Sequence, residues 1–174
     1  MILMCVLEVG VVAQPNEGNH QYFYPNGKVS SEGPLVDGAP DGRWKTYYEN
    51  GVLKSQGKRT HFQLDSTWAF YTPEGALETT IEYRNGKKDG GLKRYAGDSV
   101  LISDEQYVAD VKQGPSTNYY PDGKTKSVVV FKDGTENGRA YEYAQDGRPI
   151  LISDWRNGVL QRREQVNRLD ERGW

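Results

Sequence analysis

A period of 24 residues constrains the fold of this chain more than any other feature of its sequence. Glycine recurs at this spacing, and an aromatic residue stands four positions before each of six equivalent positions. Aromatic residues make up 11% of the chain, so six such matches at one phase would arise by chance with a probability of roughly two in a million. The sequence therefore predicts six copies of one unit over residues 19–162. The turn positions are Gly27, Gly51, Gly75, Ser99, Gly123 and Gly147, and the aromatic positions are Phe23, Tyr47, Tyr71, Tyr95, Tyr119 and Tyr143.

Each unit contains two turn signals, and the runs between them have the length of β-strands. The first signal, Pro25-Asn26-Gly27, predicts a three-residue loop, in which a type I turn is followed by a glycine with positive φ beside a β-bulge. This loop would pair residue 23 with residue 29. The second signal is Asp37-Gly38, followed by Asp41-Gly42. The predicted fold is all-β: an elongated single-layer antiparallel meander of β-hairpins built from six 24-residue units, with or without a short C-terminal helix.

The predicted pairing divides the side chains between two faces of the sheet. One face is expected to carry the aromatic series that begins at Phe23, the serine series that begins at Ser31 and the series that runs from Leu35 to Trp155. The other face is expected to carry mostly polar side chains, among them Glu32. One apolar and one polar face suit an antiparallel sheet that is half exposed to solvent.

The predicted polar face also carries aromatic residues, all of them in the first three units. Exposed aromatic side chains on one side of a sheet indicate a surface for a partner or ligand. The alternative is that a bulge near residue 21 turns the two tryptophans into the aromatic series on the opposite face. The candidate partner-binding residues are Tyr22, Tyr24, Trp44, Tyr48, Trp68 and Phe70.

Composition argues against several classes of function. The formal charge of −2 and the pI of about 5.8 disfavour nucleic-acid binding and polybasic membrane-surface binding, because both depend on a strong positive field. One cysteine, Cys5, and two histidines at different phases, His20 and His61, supply little for a metal site. Acidic residues such as Asp122 recur at turn tips, where they form local hydrogen bonds. We predict no catalytic residue, no cofactor and no metal site, and therefore not an enzyme.

The two ends of the sequence differ from the repeated region. Residues 1–18 form an apolar leader, interpreted either as a degenerate export signal that would end before Gln14 or as a first strand. Export to the periplasm or cell surface and a cytoplasmic location both stay open. Residues 163–174 are expected to form a charged tail; the alternative is a short helix within residues 159–174, with Val159, Val166 and Leu169 on one side, that caps the last strand. No apolar run has the length of roughly 18 to 20 residues that a transmembrane helix needs.

The repeated unit is clearest in the stretches Gly42–Lys54, Tyr119–Lys124 and Phe131–Gly138. These stretches resemble the bacterial MORN repeat variant. Proteins of this kind are often described as YwqK-type antitoxins of toxin–antitoxin systems. The resemblance implies a long β-hairpin meander that serves as a binding or scaffold surface, and the antitoxin description implies neutralisation of a toxin by direct contact.

Two functional hypotheses follow. The first is a non-enzymatic repeat scaffold that binds another protein through one face of the sheet, with an antitoxin as one version. The second is an exported structural module of the cell envelope or surface that binds glycans through its aromatic residues. A mature N-terminus at Gln14 would favour the second, and a toxin-like partner would favour the first.

Overall fold

The structure, a computed structural model, describes residues 18–166 except for the side chain of Asp98. Residues 1–17 of the predicted leader and residues 167–174 of the predicted tail lie outside this range. A 3-10 helix (Gly97–Ser99) is the one helical element of the described chain. The strands are β1 (Gly18–Phe23), β2 (Val29–Val36), β3 (Ala39–Pro40), β4 (Gly42–Tyr47), β5 (Leu53–Thr60), β6 (Gln63–Tyr71), β7 (Leu77–Arg84), β8 (Lys87–Ala96), β9 (Val100–Val108), β10 (Val111–Lys112), β11 (Gly114–Tyr119), β12 (Thr125–Lys132), β13 (Thr135–Glu136), β14 (Gly138–Tyr143), β15 (Pro149–Arg156) and β16 (Val159–Gln165).

All sixteen strands belong to one open antiparallel sheet. Consecutive strands pair along the whole chain, apart from three two-residue strands, β3, β10 and β13, which pair only with the strand that precedes them. Each of these short strands follows a tight turn and is separated from the next strand by an irregular residue. The prediction of an all-β, single-layer hairpin meander is confirmed.

The first turn of each unit has the predicted three-residue geometry. The amide N–H of Gly27 donates to the carbonyl oxygen of Tyr24 at 2.9 Å, and that of Tyr24 donates to Lys28 at 2.8 Å. Gly27 has a φ of 81°, and Phe23 pairs with Val29 next to a register shift. The prediction of positive φ beside a bulge is therefore confirmed. Ser99, which replaces glycine in the fourth unit, also has a positive φ of 61°.

The second turn is a two-residue type I′ turn, since both of its residues have positive φ. In the first unit these are Asp37 (51°) and Gly38 (75°). Two units have other residues in the glycine position, and both keep the same backbone: Phe62 has a φ of 69° and Asp110 a φ of 72°. The twist of the strands therefore fixes the turn type even where the side chain disfavours it.

The predicted distribution of side chains between the faces is wrong in one respect. The bulge of the first turn takes up residue 30, so that Tyr22 pairs with Ser31 while Phe23 pairs with Val29. An extra residue in one strand shifts every following side chain to the opposite face. The serine series of Ser31 and the series from Leu35 to Trp155 thus lie opposite the aromatic series, which shares its face with Glu32.

We call the two faces after their aromatic residues. The tyrosine face carries Tyr47, Tyr71 and their equivalents, and the tryptophan face carries Trp44, Trp68 and the residues paired with them. Nearly all buried side chains of the described sheet lie on the tryptophan face. They are Trp44, Ser55, Trp68, Leu92, Ser103, Glu105, Ser116, Ala140 and Ser153.

The expected C-terminal helix is not found within the described residues. Residues 159–165 form β16, which pairs with β15 after the type I′ turn at Asn157 and Gly158. All seven residues of β16 are exposed, and Arg162, Arg163 and Glu164 place charges along this edge of the sheet. Charged side chains on an edge strand oppose edge-to-edge association.

Candidate partner-binding face

The centre of the tryptophan face is a row of side chains that runs across the strands. Within it, a side chain of one unit meets a side chain of the neighbouring unit, and the largest rings meet glycine. The rings of Trp44 and Trp68 lie directly against Gly33 and Gly57, where an added Cβ would come within 2.4 Å of ring carbons. The next pair is Ile81 with Leu92. Later pairs are Glu105 with Ser116 and Val129 with Ala140, which follow from the register of the adjacent residues.

Both tryptophans of the candidate site are buried, which corrects the expectation that they are exposed. Trp44 is 5% exposed and Trp68 is 2% exposed. Their indole N–H groups donate to the carbonyl oxygens of Pro34 at 3.0 Å and Lys58 at 2.8 Å. The alternative also fails, because both rings lie on the face opposite the tyrosine series. Stacking on a sugar requires an accessible ring face, which these residues do not offer.

The other four candidate residues have two different roles. Tyr22 lies 6.2 Å from Trp44 and Phe70 lies 6.3 Å from Trp68, measured between ring centroids, so each extends a tryptophan cluster. Tyr24 and Tyr48 each donate a hydrogen bond to a carbonyl oxygen of the next unit, at 2.6 and 2.7 Å. These tyrosines therefore join units. Tyr22, at 50% exposure, remains accessible to a partner.

The tyrosine face also joins neighbouring units. The hydroxyl of Tyr47 donates to the carboxylate of Glu32 at 2.5 Å, and the amide of Gln56 donates to the equivalent hydroxyl of Tyr71 at 2.8 Å. Burial, together with the hydrogen bond to Glu32, raises the pKa of Tyr47 to about 12. The same bond, with help from Gln21, lowers the pKa of Glu32.

A buried carboxylate occupies the middle of the tryptophan face. The side chain of Glu105, 11% exposed, accepts hydrogen bonds from Arg94 at 2.7 Å and Tyr107 at 2.8 Å, and Lys112 lies 3.5 Å away. Burial raises the pKa of Glu105, but the two hydrogen bonds and the charges of Lys112 and Arg94 outweigh it and lower the pKa. Lys88 lies 4.4 Å above the ring of Tyr107. We call Lys88, Arg94 and Lys112 the basic cluster.

The C-terminal part of the tryptophan face contains a cavity of about 400 Å³. Apolar side chains form much of its wall: Val129, Ala140, Leu151, Trp155 and Leu160. Ala140 stands where the first units have tryptophan, so the space filled by an indole ring in those units is open here. We call it the apolar cavity.

The sequence contained a signal for this cavity that the prediction did not use. Small residues, Ser116 and Ala140, replace tryptophan at the same phase of the unit, while Leu151 and Trp155 add apolar surface nearby. The prediction followed the large aromatic residues instead. On this face, however, the large residues fill the row and the small residues leave space.

A second cavity, of about 450 Å³, opens between the side chains of Arg43, Lys45, Gln56, Lys58 and Thr67, with Trp44 and Ala69 also in its wall. Its lining lacks a large aliphatic side chain, and Lys58 already forms an ion pair with Asp65 at 3.5 Å. The apolar cavity, by contrast, has Leu151 and Leu160 in its wall.

Comparison with known families supports the repeated unit that the sequence predicts. Three segments of the chain match the MORN repeat variant. They are residues 16–37, 40–59 and 112–133. Repeats of this family are generally scaffold modules that bind proteins or membranes. A search among curated proteins returned no match.

Within residues 18–166, no three acidic, histidine or cysteine side chains converge to hold a metal ion. The same part of the chain contains no helix with the length and apolar character of a membrane span.

Proposed function

We propose that this protein is a non-enzymatic scaffold that binds another protein through the C-terminal half of its tryptophan face. The apolar cavity is the observation that supports this proposal. Its volume of about 400 Å³ lies in the range of binding pockets, and its wall contains Trp155, Leu151 and Leu160. A large apolar side chain of a partner would fill it as Trp44 and Trp68 fill the equivalent space within the chain.

The rest of the sheet supplies rigidity to this site. The first units are held by tryptophan rings packed on glycine and by hydrogen bonds between units. Leu160 and Arg163 bring the last strand into the wall of the cavity. A preformed site loses little conformational entropy when it binds, which favours affinity.

A cavity-filling substitution tests the proposal. Ala140→Leu would put a leucine opposite Val129. The chain already accommodates a similar pair, Leu92 opposite Ile81. We expect the variant to fold and to lose its partner in a pull-down from native cells followed by mass spectrometry. Ala69→Leu, on the tyrosine face, is the matched control and should retain the partner. Equal recovery by both variants would refute the proposal.

An antitoxin is a narrower version of the same proposal. If the partner that Ala140→Leu loses is a toxin, co-expression of the wild-type chain should restore growth of cells that produce the toxin, and the variant should not. Growth restored equally by both chains would contradict contact through this cavity.

The envelope hypothesis predicts different results. A mature N-terminus at Gln14 in the native protein would support export. Binding to a glycan array that is lost in Tyr22→Ala would support sugar recognition by the exposed ring of Tyr22. An uncleaved chain that binds no glycan would leave the protein scaffold as the better proposal.

A further inference from the structure

We propose that the basic cluster beside the apolar cavity binds an acidic residue of the partner, so that the segment recognised is an extended peptide with one carboxylate and one large apolar side chain. This inference rests on the proposed function and specifies the chemistry of the partner.

The cluster and its immediate surroundings contain more positive than negative charges. Arg94 and Lys112 both lie at the carboxylate of Glu105, and Lys88 lies over the ring of Tyr107, on a chain whose overall charge is −2. Glu105 is buried and accepts bonds from both Arg94 and Tyr107, so it holds these side chains in place. It is a positioning residue for the cations. A cluster with three cations and one carboxylate has positive charge available to a further anion.

Lys112 forms its one close ion pair among the described residues with Glu105, and the other two carboxylates near the cluster form none with Lys88 or Lys112. The carboxylate of Asp110 accepts a hydrogen bond from the backbone N–H of Lys88 at 2.8 Å. Glu136 lies in the adjacent hairpin, where its backbone pairs with that of Phe131. Among the described residues, neither carboxylate lies within 4.0 Å of the Nζ atom of Lys88 or Lys112. The two ammonium groups instead lie over aromatic rings, Lys88 on Tyr107 and Lys112 on Phe131 at 4.1 Å.

A buried hydroxyl next to the cluster lacks a protein partner. Ser103 is 6% exposed, and its Oγ atom forms no hydrogen bond with any described residue. The register places it between Arg94 on β8 and Asn118 on β11. Buried polar groups are normally hydrogen-bonded. Ser103 therefore has an unused hydrogen-bonding group within the described part of the chain, although its Oγ atom is itself closed to a ligand.

The cluster and the cavity are continuous along β12. Lys112 covers Phe131, which lies two residues from Val129 in the cavity wall, and Trp155 extends the same wall. Neighbouring units are about 10 Å apart, a distance that three residues of an extended chain cover. A carboxylate over Lys112 and an apolar side chain in the cavity can thus belong to one peptide segment.

These features favour a protein segment over nucleic acid or a membrane. A polyanion requires a long positive surface, whereas Glu105 lies at the centre of this cluster and the whole chain is slightly acidic. A peptide can carry a single carboxylate and a single apolar side chain at strand spacing, which is the combination that the face offers.

Selection from a phage-displayed library of random peptides on the purified full chain tests this inference. Enriched sequences should contain Asp or Glu about three to six positions from an aromatic or large aliphatic residue. With one enriched peptide as the probe, Lys88→Gln and Lys112→Gln should each weaken binding about tenfold. Lys93→Gln, an equal charge change on the tyrosine face, should change it less than about twofold.

Several results would overturn the inference. They are the enrichment of no peptide, enrichment without an acidic residue, or lysine variants that bind like the wild type. Binding to phosphatidylserine vesicles or to a short DNA duplex that depends on Lys88 and Lys112 would assign the cluster to another ligand. If Ala140→Leu abolishes binding of the native partner and the lysine variants do not, the proposed function stands and this inference fails.

Discussion

Substitution of Gly57 by alanine should destabilise the sheet, although alanine normally suits a strand better than glycine does. Gly57 does not have positive φ, so the backbone accepts a side chain. A Cβ at this position would lie 2.4 Å from Cδ2 of Trp68, whereas ordinary contacts are 3.4 to 4 Å. The indole ring, only 2% exposed, would have to move by about 1 Å.

The magnitude follows from three contributions. Overpacking of a well-packed site costs about 1–3 kcal/mol. The shift also breaks the hydrogen bond of 2.8 Å from the Trp68 indole to Lys58, which removes about 1 kcal/mol. Alanine recovers about 0.5–1 kcal/mol over glycine in a strand. We therefore expect Gly57→Ala to lower the free energy of unfolding by about 1–3 kcal/mol.

Urea denaturation, followed by tryptophan fluorescence and circular dichroism, measures this change. Gly91→Ala is the matched control, because its Cβ would meet its nearest atom at 3.8 Å and should be neutral or stabilising. Adding Trp68→Leu to Gly57→Ala places a leucine against an alanine, a combination similar to Val129 with Ala140, so the double-mutant cycle should show a favourable coupling of about 0.5–3 kcal/mol. Equal stability of Gly57→Ala and Gly91→Ala would refute the size-matching of this row.

Three further predictions concern backbone strain and pH. Phe62→Gly should raise the free energy of unfolding, measured in urea, by about 1 kcal/mol, because Phe62 has an unfavourable positive φ of 69° and its side chain is 61% exposed. A loss of stability would show that the Phe62 ring makes a stabilising contact. Because the pKa of Glu105 is lowered from its ordinary value of 4.5, its ionised form stabilises the fold at pH values above 4.5. The melting temperature should therefore fall as the pH is lowered below 4.5, and it should fall less steeply in Glu105→Gln. Identical slopes for the two proteins would contradict this. The raised pKa of Tyr47 stabilises the fold below pH 10, so stability should fall as the pH rises from 10 to about 12, and Tyr47→Phe should reduce that fall; an unchanged profile would show that Tyr47 is not responsible.

Much of the fold could be predicted because turn chemistry is local. Pro25-Asn26-Gly27 specifies its own turn, loop length and bulge, and the 24-residue period repeats that information along the chain. Ser99, Phe62 and Asp110 break the glycine pattern, yet their neighbours in equivalent units impose the same backbone. The fold class therefore depended on no single turn.

The faces could not be predicted in the same way, because a bulge changes the count of alternating residues. If side chains are assigned to alternate faces from Phe23 through Val29 to Ser31, the extra residue of the bulge, residue 30, is ignored. Ser31 is then placed on the wrong face. Burial of Trp44 depends on Gly33, a glycine in a strand of the neighbouring hairpin. Such a contact becomes visible only when the register between hairpins is known.

Hydroxyl-radical footprinting of side chains in the complex with the captured partner is the most direct test of the binding face. We expect reduced labelling of Leu151, Trp155 and Leu160 in the apolar cavity, with unchanged labelling of Phe23 and Phe62. Protection of Phe23 and Phe62, with Trp155 and Leu160 labelled as in the free protein, would contradict this expectation.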